Sequence, residues 1–252
     1  MELSNRVQSI KPSPTLAVTA RAAKLKAEGK DIIGLGAGEP DFDTPQHIKD
    51  AAIAAINKGL TKYTAVGGTP GLKNAIVAKF KRENNFDFEA KQILVSCGGK
   101  QSFFNLVLAV INPVDEGILP AHDWVSFTGI VLIAEGKPVF IDTGIEQNFK
   151  ISAAQLEAAI TPKTKMFVIN SPSNPSGALS DQKFLNIVNA CPDLFRQAVV
   201  LNGVSKAYSM TGWRIGYCGG PTQVITAMEN IHSQSTSNPS SISQAAAEVA
   251  LN

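Results

Sequence analysis

Short apolar runs alternate with stretches of helical character along most of the chain. The runs are QILVS (92–96), PVFID (138–142), KMFVIN (165–170) and AVVLN (198–202). Unbroken apolar runs bounded by turn residues are typical of parallel strands that are covered on both faces. Their alternation with helices predicts an α/β fold, with a mainly parallel sheet and helices on both of its faces in three layers.

Three Ser-Pro or Thr-Pro pairs mark the starts of helices. In such a pair the hydroxyl residue can cap the helix and proline suits its first turn. The pairs at 13–14, 44–45 and 69–70 predict helices that run to Gly29, over about 45–59 and over about 70–84. Ser152 and Gln155 have the spacing of a capping box, which predicts a further helix near 153–160.

Composition and charge exclude several classes of protein. The chain has 252 residues, of which 44% are hydrophobic, enough for one large domain or two small ones. A net charge of +2 gives no electrostatic reason to expect nucleic acid or an anionic membrane as the main partner. No apolar run approaches the ~20 residues of a membrane span, and the N-terminus lacks the pattern of a secretory signal. We therefore expect a cytoplasmic protein.

The cysteines and histidines give no metal-binding pattern. The three cysteines, Cys97, Cys191 and Cys218, are scattered along the chain, and the three histidines are equally dispersed. Structural and catalytic metal sites need such ligands at close, regular spacing. We predict no metal site, and reduced thiols are the simplest interpretation of the cysteines.

Ligands of α/β proteins gather at the carboxyl ends of the strands, so the residues after each apolar run are the candidates for chemistry. After the first run comes Gly98-Gly99-Lys100, followed by a helical stretch. Two glycines at this position let backbone N–H groups approach an anion, and Lys100 adds positive potential. The alternative is an ordinary tight turn.

The third run leads into a loop that contains two prolines and a glycine, SPSNPSG (171–177). Such a loop is rigid, and it is a suitable mount for the amide of Asn174, aimed at a ligand oxygen. The Asn174–Pro175 bond is a candidate for the cis isomer. A plain connecting turn is the alternative interpretation of this segment.

The fourth run leads into GVSKAYSMTGWRIGY (203–217), which holds one lysine among small residues. Lysines usually lie on the surface, but the small neighbours Ser205 and Ala207 would admit a bulky planar ligand. We expect Lys206 to lie in a cleft, where its amine can react with a carbonyl. Arg214 lies among apolar residues, and a buried arginine needs an anionic partner such as a ligand phosphate. These features suggest a phosphorylated aldehyde, for which pyridoxal phosphate is the candidate.

The segment 203–217 resembles the lysine signature of the class I pyridoxal-phosphate-dependent aminotransferases. GLGAGEPDFDTP (34–45), KYTAVGGTPGLKNAI (62–76), SCGGKQ and NSPSNPSG resemble the other landmarks of that family, in the same order. The likeness covers nearly the whole chain and is greatest to bacterial aspartate aminotransferases. It implies the large domain of the fold-type I enzymes, with pyridoxal 5'-phosphate as cofactor.

The resemblance also implies roles for particular residues. Lys206 would bond the cofactor's aldehyde and later move a proton between the substrate Cα and the cofactor. Arg214, Ser205 and the Gly98-Gly99-Lys100 turn would hold the cofactor's phosphate.

Further residues would contact the cofactor ring, the substrate or a second subunit. Asn174 would bind the phenolic oxygen beside the substrate carboxylate, and Trp124 would stack on the ring and face the substrate. Gly38 would offer its backbone to the substrate. Tyr63 would reach the phosphate of the neighbouring subunit in a homodimer, towards which residues 233–241 would also cross.

The chain departs from the family pattern between the asparagine loop and the lysine segment. Family members carry a further strand and helix there, and the strand ends in an aspartate followed shortly by a tyrosine. Residues 178–197 contain no Asp-x-x-Tyr and predict one amphipathic helix before the next strand. The resemblance thus implies an N-terminal arm with part of a small domain (1–44), a shortened cofactor-binding large domain (45–252), and no C-terminal small domain.

The function that the resemblance implies is amino-group transfer between an amino acid and a 2-oxo acid, with aspartate and 2-oxoglutarate as the expected pair. That role would belong to amino-acid metabolism. The alternative is a shortened homologue that binds the cofactor, or only folds, without transaminase activity, because the aspartate of the family's strand and the arginine of its C-terminal domain are missing. A third alternative keeps the cofactor and changes the reaction to elimination or decarboxylation, which no residue favours.

Overall fold

The computed structural model describes residues 2–36, 38–121, 124–178 and 187–252. Its helices are α1 (Asn5–Gln8), α2 (Pro14–Ala27), α3 (Gln46–Asn57), α4 (Pro70–Asn84), α5 (Gly99–Val110), α6 (Ser126–Ile133), α7 (Ala153–Ala159), α8 (Ile187–Ala190), α9 (Thr222–Ser235) and α10 (Ser241–Leu251). Its strands are β1 (Ile93–Ser96), β2 (Glu116–Pro120), β3 (Lys137–Ile141), β4 (Thr164–Phe167), β5 (Val200–Gly203) and β6 (Gly216–Gly219). The amphipathic helix predicted within 178–197 falls partly outside the described residues.

The six strands form two three-stranded sheets. One has the order β3-β2-β4 with parallel pairing, and the other has the order β1-β6-β5 with antiparallel pairing. The α/β class is confirmed, and the four apolar runs become β1, β3, β4 and β5. The antiparallel strand β6 was not predicted, because GYCG has two glycines and no β-branched residue.

The predicted helix starts are largely confirmed. The hydroxyl of Thr69 accepts a hydrogen bond from the Leu72 N–H at 3.4 Å, and the Ser152–Gln155 capping box forms at the start of α7. Thr44 differs from the expectation, since its hydroxyl donates to the Ser209 carbonyl at 2.5 Å and α3 begins at Gln46. The side chain of Thr44 therefore ties two loops together and caps no helix.

Helices cover the sheets and form three apolar clusters. The main cluster joins α3, α4 and α10 to β1 and β6 through residues such as Leu72, Phe80 and Tyr217. A second cluster lies between α5 and α6, and a third lies between α5 and α9. In contrast, α2 buries none of its side chains. Within the described ranges, every helix is too short or too polar to cross a membrane.

Candidate active site

The ends of β1 and β6 meet at the turn formed by Gly98, Gly99 and Lys100, which we call the anion turn. Gly98 has a φ of 89° and directly precedes α5. The guanidinium of Arg214 lies against Gly98, and the backbone of Gly216 lies against Gly98 and Gly99. A Cβ on Gly98 would collide with the guanidinium, and one on Gly216 would collide with the backbone of the turn. The close approach needs glycine on both sides.

Arg214 is exposed, so the expectation of a buried arginine is wrong. Its φ of 55° is left-handed, and its Nη1 donates to the Thr211 carbonyl at 2.8 Å. This backbone conformation lets the side chain leave the apolar segment that flanks it, while Ile215 and Tyr217 are fully buried. The guanidinium lies on the anion turn, where an anion could reach both groups.

Lys206 is held by the loop that precedes α3. Its ε-amino group donates to the carbonyl of Gly38. Two more hydrogen bonds fix this loop, one from the Thr211 hydroxyl to the Glu39 carboxylate and one from Trp213 Nε1 to Thr44 Oγ1 at 3.0 Å. The structure therefore brings Lys206 and Gly38 together.

The side chain of Lys206 is exposed, and the expected cleft is not closed around it. β5, which leads into the lysine segment, lies at the edge of its sheet. Among the described residues, β5 has a hydrogen-bonded neighbour on one side only. The small residues around Lys206 thus leave it open to solvent.

Trp124 lies near the start of α5. The Nζ atom of Lys100 is 5.0 Å from the centroid of the Trp124 ring, and Trp124 meets Phe127 edge-to-face at 5.4 Å. A cation above an indole ring is attracted by the ring's quadrupole. The structure thus brings Trp124 to the anion turn, and its stacking on a cofactor ring stays a prediction. The flanking positions 122–123 lie outside the described residues.

Asn174 and Ser205 lie on loops that follow strands of different sheets. The Asn174–Pro175 bond is cis, which confirms the sequence prediction, and Ser171–Pro172 is cis as well. The exposed Asn174 side chain lies on the loop that follows β4, whereas Ser205 directly follows β5 and is half-buried. The position of Asn174 relative to Lys206 thus depends on how the two sheets are joined.

Tyr63 lies on the surface of the chain. Its side chain is 93% exposed and lines a surface cavity of about 540 Å³ together with Thr61, Asn238 and Ser240. An aromatic side chain this exposed has no packing role within its own chain.

Sequence reasoning missed a set of polar contacts beneath the anion turn. The Gln101 side chain accepts a hydrogen bond from the Cys97 N–H at 2.6 Å and donates to the Thr236 hydroxyl. Burial raises the pKa of the Cys97 thiol, so a neutral thiol lies near Arg214. Gln101 was visible in the SCGGKQ motif, whereas Thr236 falls in the segment that was expected to cross towards a second subunit.

Two stretches of the chain, 30–193 and 185–252, match the family model of the aminotransferases of class I and II. Together these stretches cover most of the chain. The chain therefore belongs to this family of aminotransferases, with the fold-type I large domain that the sequence predicts.

Among individual relatives, the aspartate/prephenate aminotransferase of Nitrosomonas europaea is 67% identical to this chain. The match covers 100% of the chain and 72% of that relative. A probable aspartate/prephenate aminotransferase of Rickettsia bellii is 53% identical, over 99% of the chain and 71% of the relative.

Solved structures give the same assignment. The aspartate aminotransferase of Rhizobium meliloti superposes with a TM-score of 0.94 at 47% identity, over 100% of this chain and 71% of that one. The aspartate aminotransferase of Thermus thermophilus with maleate gives a TM-score of 0.96 at 39% identity, over 100% of this chain and 73% of that one.

The match also reveals an internal deletion. The alignment with the Nitrosomonas relative spans 284 residues, which is 32 more than the 252 residues of the chain. The family match is interrupted around 185–193. This position lies between β4 and β5, where the sequence predicts that a segment of the family is missing.

Proposed function

We propose that this chain binds pyridoxal 5'-phosphate and transfers the amino group of aspartate to a 2-oxo acid, with 2-oxoglutarate as the expected acceptor. The observation that carries the proposal is the position of Lys206, on a segment whose other end places Arg214 on the anion turn. The relatives are aspartate or aspartate/prephenate aminotransferases, which supports aspartate as the donor. The cofactor supplies an aldehyde that accepts amino groups and a ring that takes up the electrons released when the substrate Cα–H bond breaks.

The residues of the anion turn fit the phosphate. Backbone N–H groups at the start of α5 point out of the helix, and the helix dipole favours a negative charge there. Arg214 adds a guanidinium whose fork matches phosphate oxygens, and Lys100 adds an ammonium. The hydroxyl of Ser205 would complete the set. Gly216 lets the turn lie close to β6, because a side chain at position 216 would displace the backbone of Gly98 and Gly99.

The remaining site residues orient the ring and the substrate. Trp124 would stack on the cofactor ring, because Lys100 already ties it to the anion turn. Asn174 would donate its amide N–H to the phenolic oxygen and lie beside the substrate carboxylate. The backbone of Gly38 would contact the substrate.

Lys206 would be both the attachment point and the proton carrier. Its Nζ would take the proton from the substrate Cα and later deliver it to the cofactor. The present hydrogen bond to the Gly38 carbonyl orients this nitrogen.

Homodimer assembly and a cytoplasmic location stay predictions. The exposed Tyr63 and the surface cavity beside it support a second copy of the chain as the partner. In such a dimer the Tyr63 hydroxyl would reach the phosphate of the other subunit.

A second candidate function is cofactor binding with little or no turnover. The internal deletion favours it, because residues 178–197 contain no Asp-x-x-Tyr to pair with the cofactor's ring nitrogen and phenolic oxygen. Loss of one group that stabilises charge in the transition state typically costs about 10²–10³-fold in rate.

The first experiment is a titration of the purified chain with pyridoxal phosphate, followed by borohydride reduction and peptide mass spectrometry. We expect a visible absorption band and a stable mass increment on the peptide that contains Lys206. Lys206→Ala should lose both signals, and Lys58→Ala, at an exposed position on the far end of α3, should keep them.

An assay with aspartate and 2-oxoglutarate then separates the two candidates. Turnover by the wild-type chain supports the aminotransferase proposal. Labelling of Lys206 without turnover supports the second candidate. Labelling that is spread over other lysines, or no band at all, would contradict both.

A further inference from the structure

Within the part of the chain that the structure describes, β4 and β5 each have an unpaired edge, and the deletion falls between them in sequence. Among the described residues, β4 is hydrogen-bonded only to β2, and β5 only to β6. Every residue of β4 and β5 is half-buried or exposed, whereas every residue of β1 and β6 is buried. The apolar runs that contain β4 and β5, KMFVIN and AVVLN, are typical of strands inside a sheet.

The hydrogen bonds show which amides lie on the unpaired edges. The Val168 N–H donates to the Ile118 carbonyl at 3.0 Å, and the Val204 N–H donates to the Ile215 carbonyl at 3.3 Å. Successive amides point to opposite sides of a strand, so the amides of Phe167 and Leu201 point away from β2 and β6.

Gly203 supports this assignment of the edges. Its N–H has the same orientation as that of Leu201, and it donates to the side chain of Asn202 at 2.8 Å. A local side chain thus binds an amide that a neighbouring strand would otherwise bind.

The two edges border one apolar region. Met166 and Val168 on the β4 side and Leu201 on β5 pack against the same cluster of α5 and α6 residues. Beside β4, a cavity of about 370 Å³ is lined by Phe167 and Ile169. The helices pack against one face of both edges, and within the described ranges no other strand pairs with either edge.

We propose that the slot between β4 and β5 accepts one extended strand from another polypeptide, with apolar side chains on both of its faces. Main-chain groups on both edges would bind it by strand addition, and the half-exposed side chains of β4 and β5 would flank it. The Nitrosomonas relative has 32 additional residues within its match, and the interrupted match places them between these strands. A segment of that kind is the occupant we assign. The inference does not depend on cofactor binding.

The test uses the full chain and a synthetic peptide with the additional residues of the Nitrosomonas relative. We expect binding with one peptide per chain. Hydrogen exchange at the amides of Phe167 and Leu201 should slow by up to about 100-fold when the peptide is present at 100 times its Kd. The amides of Val168 and Val200 provide a control within the same strands, because their partners are β2 and β6.

Phe140 provides a second control. It lies on β3, and its amide points to the outer edge of that sheet, because the neighbouring Ile141 accepts a bond from the Ala121 N–H at 2.7 Å. Its exchange should not change. A peptide with proline at alternate positions cannot donate the main-chain bonds and should bind at least about tenfold more weakly.

Three results would overturn the proposal. One is absence of binding, and another is equal affinity of the proline peptide. The third is a chain that dimerises alone with Phe167 and Leu201 already protected, since the occupant would then be a second copy.

Discussion

At the scale of the residue, the anion turn is a contact between two backbones. A side chain on Gly216 would collide with the backbone of Gly98 and Gly99, and one on Gly98 would collide with the guanidinium of Arg214. The position of the guanidinium therefore depends on residues that have no functional group of their own. Mutations at Gly98 and Gly216 should affect anion binding and stability together.

We expect Gly216→Ala to lower the free energy of unfolding by about 1–3 kcal/mol, because the new methyl group collides with the backbone of Gly99. It should also weaken the binding of pyridoxal phosphate. Denaturant unfolding and a cofactor titration measure the two effects. Gly212→Ala is the matched control, since a Cβ there meets nothing within 4 Å, and it should change stability by less than about 0.5 kcal/mol. Equal effects of the two variants would contradict the packing argument.

We expect Arg214→Gln to weaken the binding of pyridoxal phosphate by about 10–100-fold, the value of a hydrogen bond to a charged group. The stability of the chain should change little, because the Arg214 side chain is exposed. A cofactor titration at fixed salt measures the loss. The control is Arg196→Gln, which removes an equally exposed guanidinium remote from the anion turn in sequence. An unchanged Kd for Arg214→Gln would place the phosphate elsewhere.

At the scale of the element, β2 is held in its sheet by a buried carboxylate. Glu116, at the start of β2, accepts hydrogen bonds from Thr161 at 2.6 Å and from Lys137 on β3 at 3.0 Å. The Thr161 hydroxyl and the Lys137 ammonium lower the pKa of Glu116 below its ordinary value of 4.5. One side chain therefore links β2, β3 and the turn before β4.

This network predicts a pH dependence of stability. A carboxyl group with a lowered pKa in the folded state stabilises it at pH values above 4.5, and the contribution disappears as the pH falls through the lower, folded value. Glu116→Gln should therefore be less stable than the parent at neutral pH, and its stability should fall less steeply below about pH 5. Urea unfolding at several pH values measures both. Glu157→Gln, at an exposed site on α7, should follow the parent curve.

The sequence predicted most helices and strands, but it did not predict which strands pair with one another. Apolar runs and proline-marked starts identified β1, β4, β5 and α4, because burial and capping leave signals in the sequence of each element itself. The strand β6 was missed, because a glycine-rich strand between two others carries no local signal. The exposure of Lys206 and Arg214 was also missed, since exposure depends on which strand lies beside β5. The anion turn and Arg214 were predicted from the residues that follow the strands, whereas Trp124 was found through the resemblance.

At the scale of the whole molecule, the chain consists of two sheets that share helices. α5 packs on β1, β5 and β6, and with α6 it forms the cluster that Met166 also contacts. The asparagine loop follows a strand of one sheet, and the lysine segment follows a strand of the other. The geometry of the complete site therefore depends on the distance between the sheets.

Insertion of the 32 additional residues of the Nitrosomonas relative between 178 and 187 should join the sheets. We expect the thermal midpoint to rise by about 10 °C, the shift that about 3–5 kcal/mol produces in a domain of this size. Differential scanning calorimetry measures the shift. A Gly/Ser insert of equal length is the control and should not raise the midpoint, because it only lengthens a loop. Equal midpoints for the two inserts would contradict the assignment of the slot.

The strand order also has a consequence for the order in which the chain folds. All three strands of the parallel sheet lie within residues 116–167, whereas β1 (Ile93–Ser96) pairs with β6 (Gly216–Gly219), more than a hundred residues later. Local pairings close shorter loops and form sooner. During synthesis the parallel sheet can form before β6, the partner of β1, has left the ribosome. Pulsed hydrogen exchange should accordingly protect the amides of β2 before those of β1, and the anion turn, which follows β1, would be the last part of the site to form.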